Sequence, residues 1–188
     1  MSNISIISSS IRIGRNSHRV ALYFKKYLEE NKLATVEILD LSKYNFPLFE
    51  ERLRFQKSPA ASVIDFAEKI KSADGVIIIT PEYNGGYPAS LKNVIDLLYD
   101  EWHHKPVAIS TVSDGSFGGT QVITSLQFLL WKMRAWTVPA IFPIPKVSDS
   151  FDENGNPFSK QVFEKRTANF INELFWCIEA KSRMENFK

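Results

Sequence analysis

The run Gly75-Val76-Ile77-Ile78-Ile79-Thr80 passes directly into Pro81-Glu82-Tyr83-Asn84-Gly85-Gly86-Tyr87-Pro88. Its β-branched residues show no polar alternation, the mark of a strand buried on both faces in a parallel sheet. The next segment places Leu91, Val94, Ile95 and Leu98 at helical spacing. In parallel sheets, ligands bind beyond the carboxyl ends of the strands. The intervening loop therefore lies where binding occurs. It carries an aromatic ring at Tyr83, and its glycines admit close backbone approach.

The same strand–helix alternation extends in both directions from this run. Residues 4–8 read as strand one, 36–41 as strand two, 75–80 as strand three, 106–112 as strand four and 137–142, despite Pro139, as strand five. Helices are predicted from about 17, over 60–72, from near 88, over 120–134, and after the turn at 152–157. The connection 42–59 is too long and aromatic for a plain linker, so it is expected to cover a site or meet a partner subunit. The polar tail from Lys181 reads as frayed. This pattern is a doubly wound α/β fold: a five-stranded parallel sheet with helices on both faces. Strand order 2-1-3-4-5 opens a crevice between strands one and three, where the loops after strands one, three and four converge.

Composition narrows the classes of function. The 188 residues show no break in composition and read as one domain, 1–188. Lys+Arg 23 against Asp+Glu 21 leaves a net charge of +2, with no basic stripe for nucleic acid. The one cysteine, Cys177, excludes an intrachain disulfide. No stretch reaches the roughly 18 apolar residues of a membrane span. The start, Met1-Ser2-Asn3-Ile4, does not read as a signal peptide, and a cytoplasmic location is the default expectation.

Ser9-Ser10-Ile11-Arg12-Ile13-Gly14-Arg15-Asn16-Ser17 joins strand one to helix one. A helix start offers free N–H groups and the positive end of the macrodipole to an anion. Ser10 and Ser17 add hydroxyls, and Arg12 a charge-assisted donor. The loop lacks both the G-K-[ST] ending of a Walker loop and G-x-G-x-x-G, so a terminal monophosphate fits it better than a buried pyrophosphate. The competing reading makes Ser17 a helix cap and Arg12 a solvated side chain. Asp40, at the end of strand two, reads as a polar loop-entry residue rather than a ribose ligand.

Taken together, the three loops resemble those of the NADPH-dependent FMN reductase family, flavodoxin-like quinone, azo-dye and chromate reductases. The first loop is similar to the family's G-S-x-R-x-G-S-x-N: Ser10, Arg12 and Gly14 match, while Ser9, Arg15 and Ser17 depart from it. The second matches P-E-Y-N at Pro81, Glu82, Tyr83 and Asn84, and Leu91-Lys92-Asn93 fits the helix that follows. The third, Gly115 to Gly119 with Gln121 beyond it, resembles the family's glycine-rich stretch. The resemblance implies noncovalently bound FMN, with its phosphate on Ser10, Arg12 and Ser17. It places Pro81, Glu82, Tyr83, Asn84 and Gly85 against the ring, with Tyr83 nearest, and Ser113, Gly115 and Gly118 along the opposite edge. It also implies NADPH or NADH as co-substrate, small-molecule electron acceptors, and a homodimer or homotetramer. No side chain need act as acid, base or nucleophile, because the cofactor does the chemistry.

His103-His104 lacks the i, i+4 spacing of a helical metal site, and no metal is expected. Trp102, Trp131, Trp136 and Trp176 read as packing residues, with Trp131 equally able to face another subunit. An NAD(P)H-dependent oxidoreductase is the leading expectation. The alternatives are a nonenzymatic flavin carrier or redox-sensing module, or a nucleotide-binding domain without flavin. Carrier flavodoxins tend to be acidic, and the net charge of +2 favours the enzyme.

Overall fold

Five parallel strands form one sheet in the order β2-β1-β3-β4-β5. The computed structural model describes residues 1–185 and 187. The strands are β1 (Ser2–Ser8), β2 (Ala34–Asp40), β3 (Gly75–Pro81), β4 (Pro106–Val112) and β5 (Trp136–Ile144). The helices are α1 (Ser17–Glu30), α2 (Leu41–Tyr44), α3 (Ala61–Ser72), α4 (Ala89–Leu97), α5 (Val122–Lys132), α6 (Val147–Ser150) and α7 (Lys160–Glu185). Along β3, Ile77 and Ile79 enter a core with Phe24, Phe142, Phe170 and Leu174, under α1 and α7. Val76 and Ile78 enter the opposite core, with Phe66, Trp102 and Leu126, under α3, α4 and α5. Alternate side chains thus serve two cores, which is why Val76 to Ile79 carries no polar residue. Each such side chain contributes about 1.5–3 kcal/mol by leaving water.

Some elements depart from expectation. Strand five extends to Ile144, and the register between β4 and β5 shifts between Val107 and Ile109. Pro139 is tolerated because β5 is an edge strand. The polar tail read as frayed from Lys181 is helical through Glu185, with i, i+4 ion pairs Glu179–Arg183 (2.8 Å) and Lys181–Glu185 (3.6 Å); positions 186 and 188 lie outside the described residues. Only Trp102 packs as a core tryptophan, its indole N–H donating to Ile95 O at 3.2 Å. Trp131, Trp136 and Trp176 are exposed. His103 packs edge-on against Tyr99, and His104 occupies a left-handed turn position.

The connection 42–59 is a strap laid on α3 and α4. Tyr44 stacks on Phe46 at 4.9 Å, and both rings meet Phe66 edge-on. Asn93 accepts the Phe49 N–H at 2.6 Å and donates to Pro47 O at 2.8 Å. The guanidinium groups of Arg52 and Arg54 lie 4.7 and 4.8 Å from the centre of the Tyr99 ring. At the opposite end of the sheet, buried Lys105 donates to the carbonyls of Lys71 and Ala73, which close α3. A cation suits the negative end of a helix, although burial pushes the ammonium down to about 8.

Candidate functional site

The loops after β1, β3 and β4 meet at the carboxyl ends of their strands. The first is stitched to its neighbours at the outset: the Ser9 N–H donates to Ile79 O at 3.1 Å, and Ser9 O accepts the Ser90 hydroxyl at 2.6 Å. Gly14 turns the chain with φ +71°. Asn16 occupies the cap position of α1 but makes no capping bond. Its side-chain amide reaches Ser148 Oγ at 2.9 Å and Asp114 Oδ2 at 3.5 Å, tying the first loop to the third. Hydrogen bonds from Ser148 hold the Asp114 carboxyl below its usual range.

The start of α1 is therefore uncapped. Ser17 Oγ and Ser9 Oγ are buried and find no partner among the described residues. A buried hydroxyl without a partner costs about 1–3 kcal/mol, so the Ser17 hydroxyl, at the first residue of α1, marks a place for an acceptor-rich group. This removes the reading of Ser17 as a helix cap. Arg12 is exposed and makes no ion pair among the described residues, leaving its charge free at the mouth of the site. These donors fit a terminal phosphate.

Arg15 behaves differently. Its guanidinium donates to Asp40 Oδ1 and Oδ2, each at 2.5 Å, and to Ser10 O at 2.6 Å. Asp40 also accepts the Ser42 N–H at 3.1 Å and hydroxyl at 2.9 Å, capping α2. Burial raises the Asp40 pKa, but the hydrogen bonds from Arg15 and Ser42 outweigh it and the net shift is downward. Beside the pair, His18 Nδ1 lies 3.0 Å from Ser8 Oγ, and burial, then Arg15, lower the His18 pKa.

The second loop is a tight hairpin turn. Tyr83 N–H donates to Gly86 O at 2.7 Å, and Gly86 N–H returns to Tyr83 O at 3.0 Å. Asn84 (φ +53°) and Gly85 (φ +79°) both lie in the left-handed region. This is the turn for which an Asn-Gly pair is preferred. Their N–H groups meet no acceptor among the described residues. The Tyr83 hydroxyl lies 2.7 Å from Ser10 Oγ, joining the second loop to the first.

In the third loop, Gly118 (φ +64°) is buried, and a side chain there would press on the Ile144 and Pro145 backbone at 3.0–3.1 Å. Gly118 O accepts the Thr111 hydroxyl at 2.7 Å. Ser113 donates to Gly115 O at 3.1 Å, and Gly115 O also accepts the Lys146 N–H at 3.3 Å.

Ser10, Arg12, Ser17, Pro81, Tyr83 and Ser113 line a common cavity of about 160 Å³, with Glu82 also at its wall. Asn84, Gly85 and Gly115, which are exposed, and Gly118, which is buried, are not among the residues that line it. The cavity is smaller than a site that encloses a whole cofactor-sized ligand. Sequence reasoning missed Ser9, Asn16 and Asp114 as loop-joining residues. An Asn-Ser pair ahead of a helix was the only local signal for Asn16.

The fold defines a flavodoxin-like protein, with unpaired donors gathered at the start of α1. The model of the NADPH-dependent FMN reductase family matches residues 2–149, and the chain belongs to that family. It is 33% identical over 144 residues to an NAD(P)H-dependent FMN reductase of Saccharomyces cerevisiae, spanning 70% of this chain and 74% of that one. It is 31% identical over 184 residues to a quinone reductase of Pseudomonas putida, spanning 90% and 94%. Among solved structures, the flavoenzyme NAD(P)H:(acceptor) oxidoreductase FerB of Paracoccus denitrificans shares the fold with a TM-score of 0.76 at 20% identity, covering 95% of this chain and 98% of that one.

Proposed function

We propose that the chain is a single FMN-binding domain that passes reducing equivalents from NADPH or NADH to quinones and other small acceptors. The uncapped start of α1, where the unpartnered Ser17 hydroxyl and the free Arg12 line one cavity, carries this reading. It supplies donors for the FMN phosphate. Bound FMN would supply hydride acceptance and release. The chain's own part is to bind, orient and screen. Ser10, Arg12 and Ser17 hold the phosphate. Tyr83, anchored at its hydroxyl, sets the height of the second loop. The N–H groups of Asn84 and Gly85 have no acceptor among the described residues, and fixed donors of this kind stabilise negative charge. Phe117, exposed on the third loop, and a hollow of about 300 Å³ lined by Ile11, Phe46 and Leu48 offer apolar surface to planar acceptors. Ser42, Asn45, Ser90 and Asn93 line the same hollow but none is charged, so broad use of planar acceptors is expected.

Anaerobic stopped flow tests the activity. NADPH or NADH should bleach the flavin absorbance of the loaded protein, and a quinone should restore it. Failure of both nicotinamides to bleach it on the turnover timescale returns the chain to a carrier or sensor.

Homodimers or dimers of dimers are part of the same reading. Leu97 and Leu130 are spent inside the chain's own core. The face left for a partner is Phe128 and Trp131, 5.8 Å apart on α5, with half-buried Leu129 and Tyr99. Sedimentation at micromolar concentration should show a dimer or larger; monomer alone would exclude it. No described helix is long and apolar enough to cross a membrane. A cytoplasmic site of action and the absence of a nucleic-acid partner belong to the proposal.

A further inference from the structure

We propose that the Arg15–Asp40 pair is a latch that holds the first loop in its phosphate-binding shape, so that Arg15 positions the FMN phosphate site without touching the phosphate. The proposal rests on the FMN reading above.

Two arginines stand in one loop, and a dianion would attract either. Their surroundings separate them. The Arg15 side chain is only 15% exposed and Asp40 3%, and the guanidinium fork spans both carboxylate oxygens. Asp40 is itself fixed by two bonds from Ser42, so it is an anchor rather than a mobile counter-ion. The remaining Arg15 bond goes back five residues to Ser10 O. That bond closes residues 10–15 into a ring, with Gly14 in the left-handed region at its corner.

Ser10 is consequently gripped at both ends. Arg15 holds its carbonyl, while Tyr83 holds its hydroxyl and the Arg12 N–H points at the same oxygen, at 3.3 Å. The position of Ser10, and of the chain that carries Arg12, follows from the anchor at the end of β2. Charge supports the division of labour. With Asp40 in place, the Arg15 charge is balanced within the pair, and the charge left for an anion is that of Arg12. Lysine would not serve at position 15, because a single ammonium cannot span two carboxylate oxygens and a carbonyl in one plane.

The test is titration of the full-length chain, freed of flavin, with FMN and with riboflavin, which lacks the phosphate, followed by flavin fluorescence. The variants are Asp40→Asn, Arg15→Lys and the double variant Arg15→Ser/Asp40→Asn, with thermal unfolding recorded for each. The double variant removes both charges, so a lone buried ion cannot account for its behaviour. The latch predicts that all three lose FMN affinity, on the order of tenfold, as outer residues behind a ligand-binding group do when removed. Riboflavin affinity should stay at the wild-type level. If Arg15 were a phosphate ligand, Asp40→Asn would release it and tighten FMN binding; that result overturns the latch. Wild-type FMN affinity in the double variant also overturns it, leaving the pair a role in folding alone. If the wild-type chain binds FMN no better than riboflavin, or binds neither, the phosphate reading fails before the latch is reached.

Discussion

Gly155→Ala should destabilise the protein by about 2–5 kcal/mol, the sum of a left-handed backbone penalty and overpacking. Gly155 is buried with φ +78°, and a Cβ there would meet Arg19 O at 2.5 Å, Tyr23 N at 2.7 Å and Leu22 Cβ at 2.8 Å. Two of those atoms belong to the backbone of α1 and cannot swing aside. The turn is also stiff. Asp152 accepts the N–H groups of Asn154 and Asn156, at 2.9 and 2.7 Å, and the Asn156 amide at 2.8 Å. Lifting it would drag Phe151, which packs 5.1 Å from Tyr23 and 4.6 Å from Phe163, and would stretch the Arg19 bond to Phe151 O. Urea unfolding measures the loss. A change below about 0.5 kcal/mol, the range of an ordinary surface substitution, would show that the turn leaves the helix without strain.

That turn is legible from Asp152-Glu153-Asn154-Gly155-Asn156-Pro157, but its docking on α1 is not, because the contacts lie more than a hundred residues away in the chain. The same division runs through the molecule. The unbroken β3 run and the helical spacing of Leu91, Val94 and Ile95 are local signals imposed by burial, and they determine the fold class. The convergence of three loops follows from strand order. What the neighbours do to each loop residue does not. Arg15 departs from the family's loop pattern, and its partner Asp40 stands twenty-five positions on, so nothing nearby reveals the pair. Gly118 reads as a cofactor contact from its glycine-rich setting, whereas its lack of a side chain is needed against Ile144 and Pro145. Trp131, Trp136 and Trp176 have the residue type of a core and the exposure of a surface. The hydrophobicity of a side chain says that it would rather be covered, and leaves open whether its own chain covers it.

Arg12→Ala should weaken FMN binding by about 1.5–3 kcal/mol, the cost of losing a hydrogen bond to a charged group. At about 1.4 kcal/mol per factor of ten, that is roughly a ten- to hundredfold rise in Kd. The argument turns on what Arg12 lacks. Arg15, three residues on, has its charge answered by Asp40, while Arg12 lines the same cavity with no carboxylate partner among the described residues. Its charge is available to a phosphate lodged between Ser10 and Ser17. Because Arg12 is exposed, its attraction should be screened by salt, over a Debye length of about 3 Å at 1 M against about 10 Å at 0.1 M. The wild-type advantage over Arg12→Ala should therefore narrow between those two conditions. Losses caused by breaking the buried Arg15–Asp40 pair should persist in both. Fluorescence titration of FMN and riboflavin at low and high salt measures both effects. Equal FMN affinities for wild type and Arg12→Ala at low salt would remove Arg12 from the phosphate site and leave the start of α1, with the Ser10 and Ser17 hydroxyls, to hold the anion unaided.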